Sequence, residues 1–356
     1  MATGETILRV KGLKTHIFLE DGVVRAVDGA DLEIRRGETL AVVGESGCGK
    51  SMMARSILRL VDRPAQIVDG EIWVRRPPGK GGNSDGAAEM VDLVRADRRV
   101  VREVRGKRIA MVFQEPMTSL SPMHTIGDQI AEVILLHEQV TKQAARRRTI
   151  ELLGRVGIPA PKVRVDSYPF QLSGGMLQRA MIAMALSCNP ELLIADEPTT
   201  ALDVTTQAQI LQLLRTLQKE YGMAVMLITH DLGVAAQMAD QVAVMYLGVV
   251  VERGDIVSTF RSPLHPYTQA LLRSVPKLGL SAGARLAPVR GMVPHPYQRP
   301  SGCPFHTRCD SFMAGKCDLT VPELLRQDDG REVRCLLYDG TAGAGAVAPG
   351  AEGRNA

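Results

Sequence analysis

The sequence predicts an α/β fold organised around a phosphate-binding loop. Residues 44–51, GESGCGKS, fit the phosphate-loop pattern G-x-x-x-x-G-K-[ST] at every fixed position. An apolar, β-prone run at 39–43 precedes the loop, and a run with helical character follows it at 51–58. Strand, loop and helix therefore occur in the order that a phosphate site of this type requires.

The residue types within the loop suit an anion. Glycines at 44, 47 and 49 let the backbone turn its N–H groups toward one centre, where the N-terminus of the following helix adds partial positive charge. Lys50 is placed to reach the terminal phosphates. Ser51 offers a hydroxyl to Mg²⁺, an ion that prefers oxygen ligands.

Composition limits the class of protein. A chain of 356 residues is long enough for one large domain with an appendage, or for two modest domains. A formal net charge of +4 is too slight to indicate nucleic-acid binding, which needs clustered basic residues on one face. No apolar run approaches the length of a membrane-spanning helix, and the N-terminus lacks a signal-peptide pattern. We therefore expect a cytoplasmic chain that meets a membrane only through a partner.

The region before the loop indicates β structure. Runs at 7–10 and 32–34 are β-prone, and a turn-like segment at 20–22 separates them. Phe18 lies in this region. An aromatic ring ahead of a phosphate loop can stack on a nucleotide base, and packing in the core is an equally good interpretation of Phe18.

Two insertions interrupt the strand pattern. After a strand run at 72–74, a segment rich in glycine and turn formers predicts a flexible surface insertion at about 77–91. Between 126 and 158, apolar residues recur at spacings of three and four, which predicts a largely helical region. We place a helical subdomain at about 115–188.

Polar side chains follow three apolar strand runs. Gln114 comes after the first run, Asp196 and Glu197 end the second, and His230 follows the third; these runs lie at 109–113, 192–195 and 223–228. Ligand sites in α/β sheets lie at the carboxyl ends of strands. A carboxylate there, in a chain with a phosphate loop, suits Mg²⁺ binding, and the adjacent Glu197 is placed to polarise water. Gln114 can ligate Mg²⁺, position a catalytic water or serve as a capping side chain. His230 fits either a phosphate contact or a structural role.

A second anion-binding segment precedes a helix. Ser173, Gly174 and Gly175 stand just before an apolar helical run at 181–186. A hydroxyl, free N–H groups and the positive end of a helix dipole together favour an anion. Farther on, Asp203 leads into another helix.

Together these motifs resemble those of the nucleotide-binding subunit of an ATP-binding cassette (ABC) transporter. The resemblance covers 7–260 and includes five motifs in a fixed order: the phosphate loop 44–51, Gln114 of the Q-loop, the signature 172–175, the Walker B strand 192–197 and His230 of the switch. It implies a P-loop NTPase fold, the ABC nucleotide-binding domain, with an N-terminal antiparallel β region, a helical subdomain and a cysteine-containing C-terminal extension.

The resemblance also implies how the residues act. Two such domains pair head to tail, so that Ser173, Gly174 and Gly175 contact the ATP of the partner subunit. Glu197 acts as general base, His230 steadies the transition state, and Mg²⁺ is held by Ser51, Gln114 and Asp196. The remaining implied ATP contacts are Phe18, Gly44, Glu45, Ser46, Gly47, Cys48, Gly49, Lys50, Met52 and Asp203.

The second half of the chain narrows the resemblance to oligopeptide, dipeptide and nickel importers, through segments 113–122 and 265–272. The implied organisation is a cassette at 1–261, an extension at 262–340 and a disordered tail at 341–356. The implied partners are a second, homologous ATPase subunit forming a heterodimer, two transmembrane permease subunits, and a periplasmic or extracellular substrate-binding protein. The implied location is peripheral, on the cytoplasmic face of the cell membrane.

The sequence of the ATPase does not identify the transported substrate. Peptides are the expected cargo, with nickel, glutathione or oligosaccharides as alternatives within the family. A soluble cassette ATPase acting on nucleic acid or ribosomes is an alternative of a different class. Such proteins usually join two cassettes or carry long coiled coils, whereas this sequence has one cassette and no sustained heptads.

Four cysteines lie close together in the extension. Cys303, Cys309, Cys317 and Cys335 have the spacing C-x5-C-x7-C-x17-C, which in a reducing compartment points to metal before disulfide. Four thiolates suit either a tetrahedral zinc ion or a [4Fe–4S] cluster, and this spacing is standard for neither, with free thiols as a third interpretation. Members of the resembling subfamily with this cysteine set are associated with a [4Fe–4S] cluster, so the resemblance favours iron–sulfur.

Overall fold

The computed structural model describes residues 4–76, 89–200, 202–275 and 288–340. None of the helices in these ranges is long and apolar enough to cross a membrane. The strands of the described residues are β1 (Thr6–Leu19), β2 (Gly22–Arg35), β3 (Thr39–Val43), β4 (Ala65–Arg76), β5 (Glu89–Asp92), β6 (Ile109–Val112), β7 (Leu192–Asp196), β8 (Ala224–Thr229), β9 (Gln241–Tyr246), β10 (Val249–Asp255), β11 (Leu325–Arg326) and β12 (Glu332–Val333).

Helices connect many of these strands. They are α1 (Lys50–Ile57), α2 (Arg98–Val104), α3 (Pro116–Ser119), α4 (Ile126–His137), α5 (Lys142–Arg155), α6 (Pro161–Arg164), α7 (Gly174–Leu186), α8 (Val204–Tyr221), α9 (Leu232–Met238), α10 (Ile256–Arg261) and α11 (Pro266–Arg273). Of these, α3 to α7 follow one another between β6 and β7. Short 3₁₀ turns occur at Pro169–Gln171 and His306–Arg308.

The larger sheet has the strand order β11-β12-β10-β9-β3-β8-β7-β6. Its centre is parallel: β3 pairs with β8 and β9, and β7 lies between β8 and β6. Strands β3, β7 and β8 are buried at every position, which explains their continuous apolar runs. Because parallel strands end at one edge, the residues after β3, β6, β7 and β8 are brought together there.

The smaller sheet is antiparallel, with the order β2-β1-β4-β5. The predicted N-terminal β region is therefore confirmed, with strands longer than the predicted runs. The predicted insertion at 77–91 differs at its end, because Glu89–Asp92 form β5 and pair with the end of β4. The rest of that insertion, 77–88, and the predicted tail at 341–356 lie outside the described residues.

Helices α3 to α7 lie together between β6 and β7, where the sequence predicts a helical subdomain. Apolar residues of α4, α5 and α7, among them Ile130, Leu153 and Met181, share one buried cluster with residues of β7 and α8. Side chains at the helix starts satisfy free backbone N–H groups, since the Thr125 hydroxyl accepts from Asp128 and the Thr141 hydroxyl from Ala144.

The C-terminal extension adds to the larger sheet. Strand β12 pairs antiparallel with β10, and β11 pairs with β12, so residues of the extension continue the sheet that carries the phosphate loop. The carboxylate of Glu252, in β10, is fully buried and accepts hydrogen bonds from the backbone N–H groups of Leu264 and His265, both at 2.8 Å. Burial raises the pKa of Glu252, partly opposed by these N–H donors. This carboxylate connects the sheet to the chain entering α11.

We expect Glu252→Ala to lower the free energy of unfolding by about 2–5 kcal/mol, because two buried N–H groups lose their acceptors at a cost of about 1–3 kcal/mol each. Thermal unfolding of the full chain measures the loss. The matched control is Glu332→Ala, which removes a more exposed carboxylate 3.4 Å from Arg253 and is expected to cost less than about 1 kcal/mol. Equal losses in the two variants would contradict the role given to Glu252.

Candidate nucleotide site

The phosphate loop lies at the carboxyl edge of the larger sheet, between β3 and α1. The Nζ of Lys50 donates to the backbone carbonyls of Gly44 at 2.9 Å and Glu45 at 3.1 Å. The carbonyl of Cys48 accepts from the N–H of Gly248, in the β9–β10 turn, at 2.9 Å. The loop is therefore fixed both from within and by the turn beside it.

Two loop glycines occupy positions that no side chain fits. A Cβ on Gly44 would lie 2.2 Å from the carbonyl oxygen of Met245, and one on Gly49 would lie 2.0 Å from that of Ala26. Their φ angles, +155° and +100°, are also unfavourable for other residues. The glycines of the motif are thus required by close backbone packing as well as by phosphate chemistry.

A cavity of about 500 Å³ opens in front of the loop. Its lining brings together residues that the sequence assigned separately to the loop, the Q-loop, the Walker B strand and the switch: Ser46, Gly47, Gly49, Lys50, Ser51, Met52, Gln114, Glu197 and His230. Parallel strand ends converge on the N-terminus of α1 here, which favours an anionic ligand.

Ser51 and Asp196 are in direct contact. The Ser51 hydroxyl donates to an Asp196 carboxylate oxygen at 2.9 Å. Burial raises the pKa of Asp196, the hydroxyl of Ser51 opposes this, and the charge of Glu197 adds to the increase. A buried carboxylate beside a hydroxyl supplies oxygen atoms for Mg²⁺, which also retains waters and phosphate oxygens.

Glu197 stands at the centre of three polar contacts. One of its carboxylate oxygens lies 3.2 Å from the amide nitrogen of Gln114, 2.9 Å from the hydroxyl of Thr200 and 3.3 Å from a ring nitrogen of His230. Its backbone has φ +46°, a strained conformation for a residue with a Cβ. The strand end therefore holds Glu197 in a defined position facing the cavity, where it can orient water.

Phe18 is not brought into this cavity. It is half exposed on β1, at 44% of its surface, whereas its neighbour Ile17 lines the cavity. Successive side chains on a strand point to opposite faces, so Phe18 and Ile17 do not share a face. The predicted stacking of Phe18 on a nucleotide base stays a prediction, and its exposed ring does not support the alternative of packing in the core.

Sequence reasoning did not find the part of the cavity wall where β2 and the β9–β10 turn pack beside the loop. That wall combines residues from β2, the β9–β10 turn and the extension: Val24, Arg25, Ala26, Leu247, Gly248, His295, Pro296 and Arg299. Arg299 is anchored by its 2.8 Å bond to the Leu247 carbonyl and its ion pair with Asp28 at 3.2 Å. No motif marks these residues in the sequence, since they are far apart along the chain and lie largely outside periodic elements.

Three predicted loop contacts do not line the cavity. Gly44 packs against Met245, and Cys48 is buried, which raises the pKa of its thiol. Glu45 points toward the extension, where Arg308 binds its carboxylate. Their assignment as ATP contacts stays a prediction.

The signature segment and Asp203 lie at helix starts away from the cavity. Ser173 caps α7 by accepting from the N–H of Met176, and Asp203 caps α8 by accepting from Thr206. Gly174 and Gly175 form the first turn of α7. Their predicted contact with the ATP of a partner subunit is not tested by this single chain.

The four extension cysteines are gathered but do not form a site for one ion. Burial raises the pKa of Cys303 to about 11 and that of Cys335 to about 12, and neighbouring cysteines of the set add to both increases. Among the described residues, no group of three His, Cys, Asp or Glu side chains is placed to hold a metal ion. A zinc ion or a [4Fe–4S] cluster needs four converging ligands, so this arrangement by itself supports neither of the two groups that the sequence suggests.

Comparison with known families agrees with this site. The family described as ABC transporter matches residues 27–200, which include the phosphate loop, Gln114, Asp196 and Glu197 but not His230. A second family, described as oligopeptide/dipeptide transporter, C-terminal region, matches residues 251–317. The two matches overlap neither with each other nor with the smaller sheet's first strand.

Relatives match over nearly the whole chain. The dipeptide transport ATP-binding protein DppD of Bacillus subtilis is 46% identical over 94% of this chain and 96% of that protein. The oligopeptide transport ATP-binding protein AppD of the same organism is 47% identical, and DppD of Escherichia coli 45%. Among solved structures, the dimeric bacterial ABC transporter cassette MJ0796 has 27% identity and a TM-score of 0.60, covering 70% of this chain and 99% of that chain.

The fold and the converging strand-end residues define an ABC-type ATPase. With relatives of this identity and coverage, the chain belongs to the ABC transporter ATP-binding proteins, in the group that carries the oligopeptide/dipeptide transporter C-terminal region. ATP and Mg²⁺ are accordingly its expected ligands.

We expect Gly49→Ala to reduce ATP affinity at least about a hundredfold, because the loop must move away from the Ala26 carbonyl and its N–H groups lose their common centre. Equilibrium ATP binding measures this. Gly222→Ala is the control, since Gly222 also has a positive φ, at +61°, but has open space around it and ends α8. It is expected to lose about 1 kcal/mol of stability and no ATP affinity. Normal ATP binding by Gly49→Ala would refute the close-packing argument.

Proposed function

We propose that this chain is the ATP-hydrolysing subunit that powers an importer for peptides. The observation that carries the proposal is the pairing of a complete cassette with a C-terminal region of the oligopeptide/dipeptide transporter type on one chain. The relatives named for dipeptide and oligopeptide transport support it. Nickel, glutathione and oligosaccharides remain the alternative cargoes, and the test below distinguishes them.

In the proposed reaction, Glu197 accepts a proton from water in line with the terminal phosphate. Gln114 orients that water, and its 3.2 Å contact with Glu197 supports a shared position. Lys50 and the N–H groups of the loop stabilise the charge that develops on the phosphoryl oxygens. His230, 3.3 Å from Glu197, supplies a further donor at the same point.

The proposed site is completed by a second ATPase subunit. Ser173 and the first turn of α7 carry anion-binding features but stand away from this chain's own cavity. A head-to-tail pair would place them against the ATP held by the partner's loop. The solved relative MJ0796 is described as dimeric, which supports the arrangement. We expect the second subunit to be a related but distinct chain.

We further propose that the chain acts at the cytoplasmic face of the membrane through two permease subunits, which receive cargo from an external binding protein. Several large apolar side chains of the helical subdomain are exposed, including Met123, Leu136 and Val163. Such side chains provide a surface on which membrane subunits can dock.

The test is reconstitution of the complete importer in vesicles with its binding protein. We expect peptide-loaded binding protein to stimulate ATP hydrolysis, while nickel, glutathione and oligosaccharides do not. Glu197→Gln should reduce hydrolysis by about 10²–10⁴-fold, because the general base is lost, and should leave ATP binding within about threefold.

Stimulation by another cargo alone would overturn the peptide assignment and leave the ATPase role standing. Unchanged hydrolysis in Glu197→Gln would overturn the role of Glu197. Because the second ATPase subunit has a site of its own, this variant is measured together with the equivalent change in that subunit.

For the cysteines of the extension we propose a [4Fe–4S] cluster. Cys303, Cys317 and Cys335 are buried and Cys309 is half-buried, and the thiols are near enough to affect one another's pKa. The raised pKa values mean that burial disfavours the charged thiolates, and cationic iron bound to the sulfur atoms would offset this cost. When bound, a cluster supplies a cross-link among segments of the extension that have little regular secondary structure.

We expect anaerobic purification to yield about four iron and four sulfide per chain, with a broad brown absorbance that fades in air. Cys317→Ser should abolish this absorbance, since it removes one of the four ligands. Cys188→Ser is the control, because Cys188 is a cysteine beyond α7 outside the extension. Stoichiometric zinc without iron, or neither metal, would refute the cluster.

A further inference from the structure

One arginine of the extension is bound directly to the phosphate loop. Arg308 lies at the end of the 3₁₀ turn His306–Arg308, and its side chain is 4% exposed. Its two terminal nitrogens donate to the two carboxylate oxygens of Glu45, at 2.7 and 2.9 Å. This two-point contact joins residues 263 positions apart in the sequence.

Every N–H of that guanidinium has an acceptor. Besides Glu45, the acceptors are the carbonyl of Arg290 at 2.8 Å, the carbonyl of Gly291 at 3.3 Å and the hydroxyl of Tyr246 at 3.4 Å. The guanidinium carbon also lies 5.8 Å from the ring centre of Tyr246 and 6.0 Å from that of Phe305. Arg308 is therefore held in one orientation, which makes its contact with Glu45 a rigid one.

The backbone of Glu45 is held by the same group of residues. Its N–H donates to the hydroxyl of Tyr267 at 2.9 Å, and Tyr267 packs against Tyr246 and Phe305 at ring distances of 4.7 and 5.2 Å. The carbonyl of Glu45 accepts from Lys50. Glu45 thus connects a buried aromatic cluster to the lysine of the phosphate loop.

We propose that Arg308 is a positioning residue for ATP binding, which holds the phosphate loop in its receiving shape through Glu45. The proposal rests on the ATP-binding role of the loop. It makes the extension a determinant of ATP affinity and gives Glu45 a structural partner instead of a ligand contact.

The sign of the effect follows from charge. A bidentate guanidinium neutralises the carboxylate of Glu45 and fixes its direction. Without Arg308, the carboxylate of Glu45 is unpaired on a loop that must receive a strongly anionic ligand. The loop then loses its anchor, and the unpaired carboxylate repels phosphate. Removing the positive partner alone should therefore be worse than removing both partners.

The experiment measures ATP binding and steady-state hydrolysis of the complete importer with Arg308→Met, Arg308→Lys, Glu45→Gln and the double variant Glu45→Gln/Arg308→Met. We expect Arg308→Met to raise both the Kd and the KM for ATP by about tenfold or more, with kcat changed less than about threefold. Lysine keeps the charge without the fork, so Arg308→Lys should be intermediate. The double variant should recover a large part of the affinity lost in Arg308→Met.

Arg334→Met is the matched control. Arg334 is another largely buried arginine of the extension, and it donates to Asp31 at 3.2 Å and to the carbonyls of Val250 and Pro322. These contacts are on the smaller sheet, β10 and the extension, away from the phosphate loop. We expect Arg334→Met to lower the melting temperature while leaving the KM for ATP unchanged.

Three results would overturn the proposal. The first is an ATP Kd within about twofold of the unmodified protein in both Arg308→Met and Arg308→Lys. The second is a double variant that binds ATP as weakly as Arg308→Met. The third is a loss of ATP affinity in Arg334→Met equal to that in Arg308→Met. Either of these two results would mean that Arg308 is only a general stabilising contact. Should Arg308→Met fail to assemble, Arg308→Lys carries the same test. Absence of ATP binding in the unmodified importer would refute the proposed function instead.

Discussion

The narrow passage of the phosphate loop between two backbone carbonyls is the constraint on which the rest of the site depends. At Gly44 and Gly49 the loop is in contact with the backbones of β9 and β2, at separations that leave no room for a Cβ. Strand β9 belongs to the larger sheet and β2 to the smaller one. The shape of the loop therefore depends on how the two sheets are placed relative to each other. The interior is close-packed, and a displacement of either sheet is therefore transmitted to the phosphate-binding N–H groups.

The order of the strands in the larger sheet explains why much of the site could be predicted from the sequence. The apolar runs of β3, β6, β7 and β8 are continuous because both faces are covered, and polar residues stand at or shortly after the ends of β6, β7 and β8. Parallel pairing then places those ends at one edge, so that Gln114, Glu197 and His230 meet without any contact being known in advance. The sequences of α4 and α5 were similarly informative, because apolar residues that recur every three or four positions form the helix faces that pack on the core.

Contacts made by segments without regular secondary structure could not be predicted from the sequence. Arg299 and Arg308 lie in a stretch with little periodic structure, and they contact Leu247 and Glu45, which are 52 and 263 positions away. The order of motifs locates Phe18 along the chain but does not give the direction of its ring, because the face to which a strand residue points reverses with each residue. The short strand β5 escaped detection because four residues of mixed polarity carry too little pattern beside a glycine-rich segment.

The way in which the extension joins the larger sheet bears on modularity. Strand β12 covers the edge of β10, and Val333, Phe305 and Leu336 of the extension are buried. A chain shortened to the cassette alone would present an uncovered strand edge beside a newly exposed apolar face, the combination that promotes edge-to-edge aggregation. Residues of the extension thus complete the edge of the cassette's sheet, and exchange of extensions between relatives would require exchange of the β10 surface with them.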